Sequence, residues 1–242
     1  KTQANKFPLP MNNLFLLRCA FLMEKNGMEL ADQVQHAANT TLEKMALGGI
    51  YDQVGGGFAR YSVDAFWKVP HFEKMLYDNG QLVSLYSEAY QITKSPLYKE
   101  VVYKTIEWLE REMLDKSGGF YSALDADSEG EEGKFYVWNL EEFNKVLGSN
   151  SELLAKYYDV TAEGNWEEKN ILRRLTTDQK FAEENSISIN NLAKQINAAD
   201  QKLLKARDRR IRPGMDDKVL AGWNGIMLKG LVDAYEAFDD PK

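Results

Sequence analysis

Hydrophobic residues recur along most of the chain at the spacing of three and four positions that is typical of amphipathic helices. In one such segment Leu30, Val34 and Leu42 fall on a single stripe, and Gly48 and Gly49 follow where the stripe ends. Glycine in this position favours the end of a helix. The pattern predicts helices over residues 13–25, 29–47, 72–93, 97–114, 140–147, 150–158, 177–184, 188–208 and 217–238.

Short β-structure is expected in the loops between these helices. Residues 118–139 carry aromatic segments at both ends and an acidic, glycine-containing stretch between them. Such a pattern is typical of a hairpin, so residues 120–122 are predicted to pair with residues 135–138. A further short strand is predicted near residues 171–172.

Two motifs occur twice in the chain. Asn79 and Asn224 are each followed by a glycine and, eleven residues after the asparagine, by a tyrosine. Residues 56–64, which begin with Gly-Gly and an aromatic residue, resemble residues 118–127. A helix, a Gly-Gly-aromatic loop and another helix in repetition indicate stacked α-hairpins.

Stacked α-hairpins of this kind close into an (α/α)6 toroid when about six are present. A chain of 242 residues holds about four of them. We therefore expect an all-α fold in one domain over residues 1–242, with a toroid that is incomplete because both ends are cut from a longer protein.

Composition and charge exclude several functional classes. The net charge is −7, so the chain lacks the basic surface of a nucleic-acid-binding protein. No apolar run reaches the roughly 18 residues that a membrane-spanning helix needs. The single cysteine, Cys19, excludes an internal disulfide and favours a reducing, cytoplasmic location.

No motif for a metal or a cofactor is found. The acidic stretch that begins at Asp125 has the oxygen donors of a calcium loop, but its twelfth position is Tyr136 instead of the required glutamate. We therefore expect neither a metal nor a cofactor. The basic run at residues 205–210 is interpreted as a solvated helix end.

Residues 55–78 are rich in both aromatic and ionisable side chains. This segment holds His71, one of only two histidines, a residue type suited to proton transfer near neutral pH. The alternative is a structural histidine that bonds a backbone carbonyl.

Glu73 and Asp78 are five positions apart, so in an ideal helix they point about 140° apart and are not expected to share a site. Lys74 and Asp78 are four positions apart, which allows a helix-surface ion pair or a role in an inner ring of helices.

Further carboxylates and aromatic residues complete the candidate site. Asp125 and Asp127 flank Ala126 and should face the same way in an extended chain, where they could act as acid and base. A solvated acidic turn is the alternative for this pair. The residues expected to bind a substrate are Arg60, Tyr61, Trp67, Lys74, Tyr121, Trp138, Trp223 and Asn224. The aromatic residues among them are included because flat apolar rings match sugar faces, and burial in the core is the alternative for these rings.

Three long motifs, in the same order, resemble one known family. Residues 48–82, 118–138 and 216–225 are similar to the thioredoxin-domain-containing family that includes spermatogenesis-associated protein 20 and bacterial YyaL-type proteins. The resemblance implies an N-terminal thioredoxin-like domain followed by a toroid of the six-hairpin glycosidase type. The chain contains no Cys-x-x-Cys motif, so it resembles the toroid portion alone.

The resemblance leaves two functions open. The toroid is similar to those of sugar epimerases and glycoside-active enzymes, which implies acid–base chemistry on a sugar, with His71 as proton donor or base and Asp125 or Asp127 opposite. The alternative is a non-catalytic scaffold that binds a glycan or a protein and serves the attached thioredoxin-like domain. The expected partners are a small-molecule or glycan ligand and that domain, without nucleic acid or membrane.

Overall fold

The computed structural model of the protein describes residues 5–240. Within this range the helices are α1 (Pro10–Lys25), α2 (Ala31–Leu47), α3 (Leu76–Thr93), α4 (Pro96–Trp108), α5 (Leu140–Leu147), α6 (Ser151–Tyr157), α7 (Asp178–Glu184), α8 (Ile189–Arg207) and α9 (Ala221–Phe238). A π-helical turn over Leu109–Met113 extends α4, and a 3-10 turn over Gly148–Asn150 leads into α6. Each of these helices overlaps a segment that the hydrophobic pattern predicts to be helical, with α1 beginning at Pro10 instead of residue 13.

The strands are short, and those of one sheet join segments that lie far apart in the chain. They are β1 (Tyr61–Ser62), β2 (Pro70–His71), β3 (Lys74–Met75), β4 (Ala123–Leu124), β5 (Asp127–Ser128), β6 (Glu131–Glu132) and β7 (Met215–Asp216). β1 pairs with β2 and β5 pairs with β6, while β4 lies between β3 and β7 in a three-stranded sheet. All of these pairings are antiparallel.

The helices form two layers. The inner layer consists of α1, α3 and α9, with α3 in contact with both neighbours, and the outer layer consists of α2 beside α4. α1 packs on α2 and α3 packs on α4, which gives two successive α-hairpins. The predicted fold class is therefore confirmed: an all-α arc of stacked hairpins from an (α/α)6-type toroid, incomplete over residues 5–240, with short β-hairpins in its loops.

The arc holds fewer hairpins than expected. It consists of two hairpins and the single helix α9, so the prediction of about four hairpins is wrong. The helices between α4 and α9 do not continue the stack. Instead α5, α6, α7 and α8 bury their apolar faces among themselves, around a separate core that includes Phe143, Leu154, Tyr158 and Leu203.

Two inner helices begin later than the hydrophobic pattern predicts. α3 begins at Leu76 instead of residue 72, and α9 begins at Ala221 instead of residue 217. In both places the chain first runs extended, because β3 and β7 pair with β4. This sheet ties the N-terminal ends of α3 and α9 to the same loop.

The predicted pairing of residues 120–122 with residues 135–138 is wrong. The acidic tip between them forms its own hairpin, from β5 and β6. Glu129 and Gly130 connect these strands with φ angles of 56° and 75°, the left-handed conformation that a tight two-residue hairpin turn needs. The aromatic segments are thereby free to pack elsewhere.

The strand predicted near residues 171–172 does not form in the described part of the chain. Asn170 makes an isolated antiparallel bridge with Trp138 instead. Phe135, Trp138 and Ile171 are 1%, 1% and 3% exposed. Their apolar character reflects burial of side chains rather than membership of a sheet.

The repeated asparagines hold the repeated Gly-Gly-aromatic loops. Asn79 Oδ1 accepts a hydrogen bond from the Phe58 N–H at 2.7 Å, and its Nδ2 donates to the Phe58 carbonyl at 3.1 Å and to the carbonyl four residues back at 2.9 Å. Asn224 makes the same three bonds, with the Phe120 N–H at 2.8 Å, the Phe120 carbonyl at 3.0 Å and the carbonyl four residues back at 3.1 Å. The two sequence repeats are thus parts of one structural unit.

α1 carries a related asparagine that the sequence repeats do not reveal. Asn13 is the fourth residue of its helix, as Asn79 and Asn224 are of theirs. Its Nδ2 donates to the carbonyls of Pro8 at 3.0 Å and Leu9 at 3.3 Å. In all three inner helices the asparagine in the fourth position donates to the carbonyl four residues back.

Gly80, which follows Asn79, is required for a different reason, the close packing of α3 against α9. A Cβ atom on Gly80 would lie 3.0 Å from the backbone of Met227, and one on Gly230 would lie 2.6 Å from the Gly80 carbonyl oxygen. α3 and α9 approach each other so closely at this point that neither glycine has room for a side chain.

We expect Asn79→Ala to lower the free energy of unfolding by about 2–4 kcal/mol, because Asn79 is fully buried and its loss leaves the Phe58 N–H and carbonyl without partners. Urea unfolding followed by circular dichroism measures the change. The control is Asn144→Ala, since Asn144 is exposed on α5 and its loss should change the stability by less than about 0.5 kcal/mol. Equal stability of Asn79→Ala and the parent chain would contradict this role of Asn79.

Candidate functional site

The chain from residue 70 to residue 74 is extended, and its side chains alternate between two environments. Pro70, Phe72 and Lys74 are buried, whereas His71 and Glu73 are partly exposed. An extended backbone turns successive side chains to opposite sides. His71 and Lys74, which sequence analysis assigns to one site, therefore belong to two different clusters.

The first cluster lies on the outer side of this segment, at the N-terminal end of α3. It joins side chains from β1, β2, β6 and the first turn of α3 through ion pairs, ring contacts and electrostatic interactions. We call it the outer cluster: Arg60, Tyr61, His71, Glu73, Tyr77, Asp78 and Glu132.

His71 is held between two carboxylates in the outer cluster. Its Nδ1 lies 2.7 Å from Glu132 Oε1, and its Nε2 lies 3.9 Å from Glu73 Oε2. The same Glu73 oxygen lies 2.9 Å from Arg60 Nη1, and the ring of Tyr61 stacks on the imidazole with centroids 4.8 Å apart. The imidazole therefore has a fixed orientation.

Glu132 is a residue that sequence analysis does not single out. It lies in the acidic tip of the 118–139 loop, 61 residues from His71 in the chain. The abundance of carboxylates in that tip is the one sequence feature that could have pointed to it. Which carboxylate meets the histidine is decided by the fold of the β5–β6 hairpin.

Asp78 is the third residue of α3 and lies largely buried beside Arg60 and Glu73. Burial raises the pKa of Asp78 to about 7. The charge of Arg60 and a hydrogen bond with the Tyr77 side chain act in the opposite direction, and the charge of Glu73 acts in the same direction. Asp78 Oδ2 and Arg60 Nε are buried and have no hydrogen-bond partner within residues 5–240. Glu73 precedes α3, so the separation of about 140° expected for two residues of one ideal helix does not apply to Glu73 and Asp78.

Aromatic rings border the outer cluster on two sides. Tyr77 packs edge-on against Trp223 of α9 with centroids 4.8 Å apart. Phe7, which precedes α1, packs against Tyr61 with centroids 4.9 Å apart. The N-terminal ends of α1, α3 and α9 thus meet at this site, and two of the aromatic residues expected to bind a sugar lie there.

Lys74 points to the interior, where it belongs to a second group of charges. Its Nζ lies 2.9 Å from Asp52 Oδ2 and donates to the Gly56 carbonyl at 2.7 Å. Arg207 Nη1 bonds to both oxygens of Asp52, at 3.0 and 2.9 Å. Burial alone would raise the pKa of Asp52, but the charges of Arg207 and Lys74 hold it below its ordinary value. We call Asp52, Lys74 and Arg207 the interior triad.

The interior triad corrects two expectations. Lys74 makes no helix-surface pair with Asp78, because it precedes α3 and is buried, with its Nζ 5.2 Å from the centroid of the Trp108 ring and 5.0 Å from that of Tyr136. Arg207 lies in the basic run that is interpreted as solvated, yet it is 2% exposed. A charge run along a helix does not reveal which member turns inward.

Two tryptophans that are expected to stack on a ligand are covered by the protein itself. Trp67 is 3% exposed and Trp138 is 1% exposed. Lys6 Nζ lies 4.2 Å from the centroid of the Trp67 ring, and the Arg210 guanidinium lies 4.0 Å from that of Trp138. Neither ring presents a free face in this conformation.

Asn224 and Tyr121 are likewise occupied by internal bonds. Asn224 clamps the backbone of Phe120, which accounts for its position without a ligand. The Tyr121 hydroxyl donates to Asp115 Oδ1 at 2.7 Å. Both residues lie near the arc, but their polar atoms are committed to holding the loop that follows α4.

Asp125 and Asp127 face solvent on either side of buried Ala126, as their spacing predicts. Asp125 Oδ1 accepts a hydrogen bond from the Ala126 N–H at 2.7 Å. Asp127 lies opposite Glu132 in the β5–β6 hairpin. The hairpin residue that contacts His71 is therefore Glu132 rather than either aspartate.

The described residues hold no metal-binding cluster and no membrane-spanning helix. Over residues 5–240 no group of three or more His, Cys, Asp or Glu side chains is arranged to hold a metal ion. None of the helices described above is long and apolar enough to cross a bilayer. Cys19 is a free thiol.

We expect Asp78→Asn to make the protein more stable near neutral pH. Asp78 has an ordinary pKa of 3.8 and a folded-state pKa of about 7, so between these values the unfolded chain releases the proton first and the parent chain loses stability as the pH rises. The advantage of Asp78→Asn should grow from about pH 4 to about pH 7, by up to roughly 4 kcal/mol. Urea unfolding across this range tests the sign, and an advantage that shrinks with pH would contradict the raised pKa.

Asp52→Asn should have the opposite effect on stability. It leaves two buried cations, Lys74 and Arg207, without their carboxylate, which should lower the free energy of unfolding by about 3–5 kcal/mol. Because the pKa of Asp52 is lowered in the folded state, its contribution should be present at neutral pH and fade as the pH falls below about 4. Asp217→Asn, at an exposed position, is the matched control and should unfold as the parent chain does.

Solved structures with a similar outline include sugar-processing enzymes. A sugar epimerase from a ruminal bacterium is 13% identical, covering 99% of this chain and 73% of its own, with a TM-score of 0.42. A cellobiose 2-epimerase from Spirochaeta thermophila is 15% identical over 100% of this chain and 72% of its own, with a TM-score of 0.43. At these scores the likeness transfers neither a site nor an activity, and the fold assignment depends on the helix packing described above.

Sequence comparison places the chain in a family. No protein-family model matches it. An uncharacterised protein of Caenorhabditis elegans is 37% identical over 99% of this chain and 36% of its own length, and spermatogenesis-associated protein 20 of Homo sapiens is 36% identical over 94% of this chain and 32% of its own. The chain thus spans about a third of the length of these relatives. Over that third, the chain belongs to the spermatogenesis-associated protein 20 family.

Proposed function

We propose that the outer cluster performs acid–base chemistry on a sugar, in the manner of an epimerase or a glycoside hydrolase. The observation that carries this proposal is the raised pKa of Asp78. Its pKa is raised by burial to about 7, so it holds a proton near neutral pH and can give it up to a substrate. Beside it, Glu73 is a second carboxylate, paired with Arg60 at 2.9 Å. In acid–base enzymes, two carboxyl groups in different environments have different pKa values, so one can serve as the proton donor and the other as the base.

The polar atoms that lack partners in the outer cluster suit a hydroxyl group. Asp78 Oδ2 and Arg60 Nε are both buried without a partner among the residues described, and the charge of Arg60 acts on Asp78. A hydroxyl group both donates and accepts, so a sugar hydroxyl that reaches either atom can pair with it. An unpartnered buried polar group costs roughly 1–3 kcal/mol, which binding such a ligand would offset.

The aromatic border supports a sugar over other polar ligands. Trp223 and Tyr77 meet edge-on at 4.8 Å, and Tyr61 lies against His71. Rings beside polar groups suit the alternation of C–H faces and hydroxyl edges in a pyranose. In this proposal Trp223 and Tyr77 hold the ring of the sugar, while the charged groups contact its hydroxyls.

The proposal assigns Asp78 as the proton donor and His71 as the second proton-transfer group. Glu132 orients the imidazole through Nδ1, which leaves Nε2 on the side of Glu73. Glu73 takes the place of Asp125 and Asp127 as the opposing carboxylate, because it contacts the cluster directly.

A second function, ligand binding without turnover, is favoured by the engagement of His71. Its Nδ1 is bound to Glu132 and one face is covered by Tyr61, which is also what a purely structural histidine would show. As a scaffold, the chain would present a glycan or protein to a thioredoxin-like domain in a longer protein. The free thiol Cys19 agrees with the cytoplasmic location proposed for either function.

Asp78→Asn should lower turnover at least about 100-fold, because an amide cannot donate the proton. Glucose, mannose, cellobiose and their phosphates are first screened by thermal shift, and product formation from each hit is then followed by NMR. Turnover of the parent chain should fall as the pH rises through about 7, as Asp78 loses its proton. Asp217→Asn, the same change at an exposed site, should keep full turnover.

His71→Ala in the same assay separates the two functions. The acid–base proposal expects lost turnover with a nearly unchanged melting temperature, since His71 is partly exposed. Ligand binding that persists with no turnover in the parent chain would favour the scaffold. Full turnover in both Asp78→Asn and His71→Ala would contradict the proposed site.

A further inference from the structure

We propose that a small cavity beside the interior triad is a binding site for a monatomic anion such as chloride. The cavity lies on the inner side of the 70–74 segment, and Pro70, Phe72 and Lys74 line it, while His71 and Glu73 do not. It is therefore separate from the outer cluster and independent of the function proposed for it.

The size of the cavity limits what it can hold. Its volume is about 30 Å³. A buried water needs about 10–15 Å³ by the same measure, so the space accommodates one monatomic ion or about two waters. A sugar, a phosphate ester or any other organic ligand is far too large.

The unpartnered polar side-chain atoms on the residues that line the cavity are all N–H groups or hydroxyls. They are Arg207 Nε and Nη2, Trp138 Nε1 and the hydroxyls of Tyr51 and Tyr136. Arginine and tryptophan can only donate. Both Asp52 oxygens, which could accept, are already bonded to Arg207 and Lys74. Among these unpartnered atoms a water could donate only to the two tyrosine hydroxyls, whereas an anion can accept from every one of these groups.

The charge balance also favours an anion. The charged groups that line the cavity are one carboxylate, Asp52, and two cations, Lys74 and Arg207. They are buried together, and burial lowers the pKa of Lys74 while the charge of Asp52 acts in the opposite direction. The next carboxylate, Glu112, acts on both cations, but it is itself paired with Arg111 at 2.8 Å and Arg212 at 3.3 Å. One negative ion would neutralise the interior triad and give partners to donors that otherwise have none.

The first test is the dependence of thermal unfolding on the anion. The chain is heated in sodium chloride, sodium bromide or sodium gluconate at one fixed ionic strength, and the halide fraction is then varied. A site that binds in the folded state alone should raise the melting temperature by about 2–6 °C in halide, and the rise should saturate with concentration.

A matched pair of variants separates the cavity from general salt effects. Tyr136→Phe with Trp138→Phe removes two donors but keeps aromatic rings in place, so the halide-specific rise should fall by at least half. Tyr235→Phe removes a hydroxyl from an exposed tyrosine on α9 and should leave the rise unchanged. If the double variant does not fold, Tyr136→Phe alone serves the same comparison.

Crystals grown in sodium bromide give a direct reading. An anomalous difference peak in the cavity, within about 3.5 Å of Arg207 or Trp138 nitrogen atoms, is the expected result for a halide contact. Equal melting temperatures in halide and gluconate, or equal halide shifts in the parent chain and the double variant, would overturn the proposal. So would a bromide-grown crystal with no anomalous peak there, which would assign the cavity to water.

Discussion

One buried carboxylate fixes three distant parts of the chain against each other. Asp52 follows α2, Lys74 lies in β3 and Arg207 is the last residue of α8, and both cations contact the same aspartate. Charges in a protein interior are strongly unfavourable unless they are paired. The interior triad therefore forms only when the arc, the strand before α3 and the α5–α8 cluster are all in place.

The interior triad also determines which residues are available for chemistry. With Lys74 buried, the alternation of an extended chain turns Glu73 and His71 outward, where they meet Arg60 and Glu132. Asp78 enters the same cluster from the first turn of α3 and is buried there with an oxygen that has no partner among the described residues. Asp52 and Asp78 are both desolvated, but their pKa values shift in opposite directions. The charges of Arg207 and Lys74 outweigh the desolvation of Asp52, whereas the charge of Arg60 does not outweigh that of Asp78.

The inner helices share one device at their N-terminal ends and differ in what precedes it. Asn13, Asn79 and Asn224 each occupy the fourth position of a helix and bond backbone carbonyls before it. This clamp explains the repeats in the sequence as architecture. The segment before α3 adds His71 and Glu73 to the architecture, so the proposed chemistry is local to one repeat and is not a property of the repeat itself.

The sequence by itself determined the helices, the repeated hairpins, the family and the segment in which the candidate site lies, because amphipathic periodicity, glycine stops and long motifs are local properties of the chain. The tertiary structure alone decided that Lys74 is an interior residue, that Glu73 and Asp78 act on each other, and that Glu132 rather than Asp125 or Asp127 contacts His71. Each of these outcomes depends on a strand pairing or an ion pair between segments far apart in the chain. Local sequence patterns cannot predict which of these pairings forms, because the free energy of each pairing depends on how deeply it is buried in the folded chain.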